Sequence, residues 1–452
     1  MTTKLTQAGF YTLNSAIIRP LFPDPDRSKR SDEPDHINVT KTVVNFAITE
    51  SMDSPFVSGH LILNESNNLI EDVPLRGEEQ LELVVTDFYG KTKTYSFYVY
   101  AVDNIKPSNS VNDRMVSYTL RFTTNQKLIS DTKEIRRSFD KTKISDIVQT
   151  IYNEYFITDN TKTDKEIEIE ETSGEQTLVI PSLRADAAMQ FLSRRAYSAT
   201  NKTSLYRFFE TREKYYFCTH EYLINKYGSF EGKSEEELNP LFFIYNTVDD
   251  NTGAGQKIAQ QSVNEITYGD KVDSIADMKQ GAYRRTVTEL DINYRTRITR
   301  QFDYTTEYKN FTAPSDLKLT HSEEFVNSYM GATEAPETIL VTDFPQIGQN
   351  KGDQEDNMLK PYQHFYENYT TKPVVDYHMN RNSFTVEING RHELYPGNII
   401  SLELYKFSHT ISGSKVIDRE RSGKYIVLGM TSKFSGDEFK QTIAITKGGL
   451  AS

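Results

Sequence analysis

The chain has eight histidines, one cysteine and 64 acidic residues, and a catalytic or metal site would have to be built from these. The histidines fall in no metal-ligand spacing, and HExxH is absent. His220 and His392 stand alone and read as surface or internally satisfied residues. Cys218 has no second cysteine, so neither an intrachain disulfide nor a cysteine-based zinc site can form. The sequence contains no GxSxG elbow and no GxxxxGK[ST] phosphate loop. "GAGQ" at 253–256 is followed by no helical pattern and reads as a loop. "DPDRSKRSDEPD" (24–35) and "GDQED" (352–356) gather oxygen ligands of the kind calcium takes, but neither has the D-x-[DN]-x-[DN]-G order. A glycosidase pair of carboxylates is spatial rather than sequential, so the sequence leaves it open. The Tyr/Phe clusters "KTYSFYVY" and "SLYRFFETREKYYF" suit a sugar- or base-stacking face, or a strand core with cross-strand aromatic pairs. The core is the preferred reading. The expectation is no catalytic residue, no cofactor and no metal.

The elements that would position such residues are mostly strands. With 452 residues the chain has length for two to four domains. Tyr (28) and Phe (25) carry the aromatic content, Trp is absent, and this bias favours pleated, half-buried surfaces. A net charge of −12 argues against a protein that grips nucleic acid, which needs a basic footprint. The N-terminus shows no signal-peptide pattern, and no apolar run is long enough to span a membrane.

Residues 1–130 read as β. "RPLFPDPDRSKRSDEPD" (19–35) is a charged loop or arm. Strand signals follow at 38–48, 57–63, 80–85, 95–102 and 115–122. In the last of these Val116, Tyr118, Leu120 and Phe122 take one face, and Ser117, Thr119 and Arg121 take the other. The period then changes. Ile144, Ile147, Val148, Ile151, Tyr152 and Tyr155 form one face of an amphipathic helix. A second helix is expected after Pro181, with Ser182 as N-cap and Ala185, Ala188, Met189, Leu192 and Ala196 inward. Residues 131–240 thus read as a separate α+β domain. Strands return at 241–290, 291–369 reads as an irregular or α+β insertion, and 370–452 is β again.

The two β regions share an order of events. In each, a strand and a polar link reach a glycine turn, Gly77 in the first and Pro396–Gly397 in the second. A strand follows directly, and then a long-range pair of strands. Such an echo is expected from an internal duplication or from two similar antiparallel meanders. Two like units in each of three chains give six like positions, which fits a threefold ring to a sixfold partner.

Five stretches occur in an order that resembles a known family. They are "SPFVSGHLILNESNNLIEDVPLRGEEQLELVV", "SLRADAAMQFLSRRAYSATNKTSLYRFFE", "MKQGAYRRTVTELDIN", "RHELYPGNIISLEL" and "SGKYIVLGMTSKFSGDEFKQTIAIT". Together they resemble the baseplate central hub proteins of contractile-tailed, T-even-like phages and the hub portion of type VI secretion spike proteins. The resemblance implies a mainly β fold with α+β insertions. It places two tail-tube-like antiparallel β-barrel domains at 1–130 and at 241–290 with 370–452. It also implies a homotrimer that joins the tail tube, or a tube-initiator protein, to a central spike protein. Wedge proteins of the baseplate and a tape measure protein would be neighbours, and DNA would pass through without being held. Such a protein belongs to the virion tail and is assembled in the host cytoplasm. Gly59 and Gly77 fall at the family's first-barrel turn glycines. Pro396 and Gly397 match its "PG" before a barrel strand, and Gly423 opens the penultimate strand. The chain ends at Ser452, so the spike is expected as a separate protein.

The closing hairpin fits this scheme. Phe439, Ile443 and Ile445 share a face with Gln441 among them and are expected in the second barrel's core. Lys440 and Thr442 lie opposite and are the candidate channel face. The alternatives are a carbohydrate-binding or adhesion module, motivated by the Tyr/Phe clusters, and a cell-wall-degrading tail enzyme.

Overall fold

The computed structural model describes residues 7–20, 36–66, 79–107, 115–157, 165–231, 241–244, 258–268, 273–291, 295–310, 321–329, 336–342, 369–381, 383–406, 416–419 and 421–447, with isolated positions at 69, 75, 77, 312 and 319. The "GAGQ" loop, the 348–356 stretch and residues 21–35 of the charged arm lie outside them.

The N-terminal region supplies β1 (Thr12–Pro20), β2 (Ile37–Asn38), β3 (Val43–Ser51), β4 (Ser58–Glu65), β5 (Glu79–Thr86), β6 (Thr92–Pro107) and β7 (Val116–Thr123). Alternation makes these strands. Along β5 the burial pattern is strictly two-periodic, with Leu81, Leu83 and Val85 inside. Sequence reading misses β1. Its start, Arg19 and Pro20 excepted, lies outside the stretch read as a charged arm, and its apolar residues do not alternate cleanly because of an irregularity between Leu13 and Ser15.

The α+β region follows, with α1 (Asn125–Thr132), β8 (Glu134–Lys143), α2 (Ile144–Tyr155), β9 (Ile167–Ile169), β10 (Glu175–Arg184), α3 (Ala185–Ser193), β11 (Arg207–Glu210), β12 (Tyr215–Cys218) and α4 (His220–Tyr227). The expected stripe of α2 is buried: Ile144, Ile147, Val148, Ile151 and Tyr152 share a core with Ala188, Met189 and Leu192 of α3. Ser182 is not the N-cap of α3. It lies in β10 with φ +50°, and its hydroxyl donates to Glu134 (2.6 Å), so the helix starts three residues later, after Arg184.

The C-terminal region holds β13 (Phe242–Ile244), β14 (Val263–Tyr268), α5 (Ser274–Gln280), β15 (Arg284–Asp291), β16 (Thr296–Asp303), α6 (Tyr304–Glu307), α7 (Glu323–Tyr329), β17 (Glu337–Thr342), α8 (Thr371–Arg381), β18 (Ser383–Asn389), β19 (Ile399–Glu403), β20 (Gly423–Ser435) and β21 (Glu438–Thr446). β15, which sequence reading joins to the second barrel, instead pairs with β16 and β17 in a sheet of its own.

The fold is mainly β, and its centre is one 13-stranded sheet. Within it one antiparallel pattern occurs twice. The first unit runs β3-β4-β7-β6-β5 and the second β14-β18-β21-β20-β19. One irregularity of these ladders matches, while β6 carries a second slip, between Asp103 and Lys106, that β20 lacks. The β6–β7 ladder slips between Val99 and Ala101, opposite Phe122 and Arg121; the β20–β21 ladder slips between Val427 and Gly429, opposite Ile445 and Ala444. Gly77 and Gly397, each two residues before the next strand, both have left-handed backbone (φ +81° and +92°), which glycine adopts without a Cβ clash. The units differ at their outer strands: β1 pairs antiparallel with β5, whereas β13 pairs parallel with β19.

Among the described residues neither unit closes into a separate barrel, because β20 is shared. Its first half, Gly423–Ile426, pairs with β19, and its second half, Gly429–Ser435, pairs with β3 of the other unit. The hairpin tip therefore enters the first unit's core. Phe434 stacks on Phe46 at 4.3 Å and on Phe439 at 4.1 Å, and Tyr11 meets Phe434 edge-on at 5.2 Å. Such pairs add about 0.5–1.5 kcal/mol each beyond the area they bury.

Candidate functional site

Alternation gives each central strand a core face and an opposite face, and on the opposite face the side chains are mostly polar, with Ile62 of β4 among them. β3 places Asn45, Ala47, Thr49 and Ser51 there, β4 places Ser58, His60 and Asn64, and β7 places Ser117, Thr119 and Arg121. In the second unit β18 contributes Thr385 and Glu387, β20 contributes Thr431 and Lys433, and β21 contributes Glu438, Lys440 and Thr442. Cross-strand register lines these up across the unit junction, as in Glu387–Thr442–Thr431–Thr49–Ser58. Thr49 and Thr431 hydroxyls meet at 3.3 Å directly over the junction.

Charges on this face come in opposite signs. Lys440 lies 2.9 Å from Glu438 and 3.9 Å from Glu387, and Arg121 lies 2.5 Å from Asp103. Burial and the neighbouring Arg121 lower the pKa of His60, so at neutral pH it adds no charge. The face thus carries cations matched by acids rather than a basic row, and the net negative charge of the chain is not concentrated there. Such a surface offers phosphate backbones little grip.

A second construction holds the α+β region against the sheet where the two β units meet. Arg212, at the turn between β11 and β12, forms a buried ion pair with Glu50 of β3; the side chains are 3% and 0% exposed. Glu50 accepts from the backbone N–H of Arg212 (2.7 Å) and from its Nε (3.0 Å). Arg212 Nη1 donates to the Tyr95 hydroxyl (3.3 Å), which meets His392 Nδ1 at 2.9 Å. Gln441 donates to the Ser432 hydroxyl (3.1 Å) and to the Arg391 carbonyl (2.9 Å), and Gln260 accepts from Gly9 N–H (2.7 Å). Burial opposes the charge on Arg212, but Glu50 and Tyr95 outweigh it and its pKa is raised. Burial pushes Tyr95 up to about 12, and burial with the Arg212 charge takes His392 down to about 4. Beside this network Glu210 accepts from Val57 N–H (2.9 Å), Thr124 Oγ1 (2.8 Å) and Lys165 Nζ (2.6 Å).

A cavity of about 410 Å³ adjoins the network, lined in part by Lys93, Lys165, Arg212 and Lys214. Each of these cations already faces a carboxylate: Glu213, Glu210, Glu50 and Glu168 in turn. The arrangement ties the α+β region to the sheet as a structural lock. Among the described residues no group of three or more His, Cys, Asp or Glu is placed to hold a metal ion.

The residues singled out from sequence fall as follows. Tyr118, Leu120 and Phe122 lie in the first unit's core with Val116 packed against it. Ile443 and Ile445 lie in the second unit's core, whereas Phe439, on the same face of β21, lies in the first unit's core. The cause is the shared β20, which carries the hairpin tip across the junction. Gly59 sits where a Cβ would come 2.2 Å from the Ala47 carbonyl and 2.5 Å from the Phe122 ring. Pro396 is buried beside Gly397, and Gly423 begins β20 with φ 135°. The Tyr/Phe clusters are interior but for one ring: Tyr95, Phe97, Tyr98, Phe208, Phe209, Tyr215, Tyr216 and Phe217 are all buried, and Tyr100 is exposed. Sequence reading misses Glu50 and Arg212. Their signal is a charged residue on the inward phase of a strand and another at a tight turn among aromatics, and neither stands out in a chain this rich in charge.

No family model matches the sequence, and no curated protein is similar to it. Solved structures are similar over nearly the whole chain. A tail protein from Neisseria meningitidis MC58 superposes with a TM-score of 0.52 at 9% identity, covering 97% of this chain and 96% of that one. The 43 kDa tail protein of prophage MuSo2 from Shewanella oneidensis gives 0.50 at 8% identity, covering 96% and 98%. An E. coli component of the type VI secretion system gives 0.42 at 8% identity, covering 90% and 73%. The chain therefore has the fold of phage tail proteins.

Proposed function

We propose that the chain is a structural hub of a contractile injection machine and acts without catalysis. Three copies form a ring in which the two β units of each chain make six like positions. One side of the ring meets a sixfold tail tube or tube-initiator protein, and the other carries a threefold central spike. Wedge proteins of the baseplate and a tape measure protein are further neighbours, and DNA passes through the ring in transit. The observation that carries this reading is the repeated strand order, matched down to the position of the bulge, in a chain with the fold of phage tail proteins. Two like units per chain are what a threefold-to-sixfold adapter requires. The polar face with its paired charges supports passage without adhesion.

Light scattering tests it. The reading expects a species of roughly 156 kDa, three times the 52.0 kDa chain. A monomer at every concentration, alone and mixed with spike protein, would overturn it. The adhesion reading loses most of its motive, since every aromatic ring of the clusters that suggested it except Tyr100 is buried.

A further inference from the structure

The internal repeat assigns a partner to an edge that is open among the described residues. In the second unit the latter half of β20, Gly429–Ser435, takes β3 as its second neighbour. The equivalent stretch of the first unit is Ala101–Pro107 of β6. Among the described residues this stretch pairs with β7 alone, since β5 covers only Thr92–Tyr98. The strand equivalent to β3 is β14, at the end of the sheet path, which pairs with β18 alone. The chain thus carries both halves of a second junction of the β20–β3 kind, at opposite ends of its sheet.

We propose that a second copy of the chain seats its β14 antiparallel on Ala101–Pro107 of β6, in the register of the β20–β3 junction. Matching the two ladders from their common bulge makes Ser117 equivalent to Lys440, so Lys106 holds the place of Lys433. The β3–β4 and β14–β18 ladders likewise make Thr267 equivalent to Ala47. Lys433 pairs with Ala47, so Lys106 faces Thr267 of the second copy. Ile266 then faces Pro107, and Tyr268 meets the extra residue at Asn104–Ile105.

Four further observations fit this occupant. Tyr100 holds the bulge position of Leu428. Leu428 is 8% exposed and packs with Met52, whose N–H donates to the Leu428 carbonyl (2.8 Å), whereas Tyr100 is 46% exposed. Ile105, next along the open edge, is 52% exposed. Ala101 is as small as the junction demands, for at its counterpart Gly429 a Cβ would already come 3.2 Å from Ser51 Oγ. Glu265 lands diagonal to Lys106, a spacing that long side chains of opposite charge bridge. The contact is heterologous, so it builds rings or filaments rather than a twofold dimer. It rests on the hub reading only for closure at three copies.

Paired cysteines test the register. Lys106→Cys with Thr267→Cys should form an intermolecular disulfide under mild oxidation, because facing strand residues approach within disulfide range. Either single variant, and Lys106→Cys with Thr385→Cys, should not; Cys218 is buried and silent. Tyr100→Asp should weaken self-association about tenfold, as loss of a buried aromatic anchor does, with thermal stability unchanged. An assembly seen by light scattering but not trapped by the 106/267 pair overturns the edge and leaves the ring standing. A monomer that is not trapped overturns both.

Discussion

Arg212→Met strips Glu50 of the guanidinium that neutralises it. The carboxylate has no solvent to turn to, since its side chain is 0% exposed. It keeps the backbone N–H of residue 212 and loses the Nε and Nη2 donors. Breaking a buried ion pair in this way costs about 3–5 kcal/mol, because a charge is left uncompensated. With a urea slope of about 2–3 kcal/mol per molar, the midpoint should fall by about 1–2 M. Glu50→Leu should cost a similar amount by stranding the Arg212 charge. The double variant Glu50→Leu/Arg212→Met buries no lone charge and should be at least about 2 kcal/mol more stable than the two single losses added together. Urea unfolding followed by far-UV circular dichroism reads all four proteins. Single losses under about 1 kcal/mol, or a double variant equal to their sum, would show that Glu50 and Arg212 are not the lock described.

Phe439→Ala should destabilise by about 3–5 kcal/mol, and amide exchange should rise first around Phe46 and Tyr11 in the first unit, not around Ile443. Gly59→Ala should lower the melting temperature sharply, because its Cβ would strike the Ala47 carbonyl as well as the Phe122 ring, and the backbone cannot yield as a side chain does. His392 is held neutral in the fold down to about pH 4 but takes a proton near 6.5 when unfolded, so stability should fall as pH drops from 6.5 towards 4, by up to about 3 kcal/mol, and His392→Gln should flatten that slope. Glu221 runs the other way: burial raises it from 4.5 to about 7, the fold holds its proton longer than the unfolded chain, and stability should fall as pH rises from 4.5 to 7. Glu221→Gln should remove that loss, as read by melting curves at pH 5 and pH 8.

The strands that alternate cleanly are legible from residues alone: β4 to β7 and β18 to β21 all fall within stretches read as β. So is α2, whose apolar stripe follows the 3.6-residue period. Pairing is not local, and that is where reading stops. The first half of β20 is buried on both faces, Tyr425 to Leu428, and the second half alternates, but nothing within the strand says that the second half pairs with another unit. β15 shows strand character but not which sheet it joins. The echo of the two β regions is visible as an order of turns and strands, while its proof, a bulge at the same ladder position, exists only between strands. The polar face follows directly from alternation; the charge balance on it depends on which residues of neighbouring strands meet.

The shared strand has a consequence for assembly kinetics. A six-position ring built from one-unit subunits needs five encounters, each dependent on protein concentration, before it closes on itself. Here β20 meets β3 within one chain, at an effective concentration fixed by the polypeptide itself. In the proposed ring half the junctions are complete when the chain has folded, and only two encounters remain before the ring closes. Dilution then threatens three contacts instead of six, and a partly built ring always exposes one β6 edge and one β14 edge, which gives growth a single direction of addition.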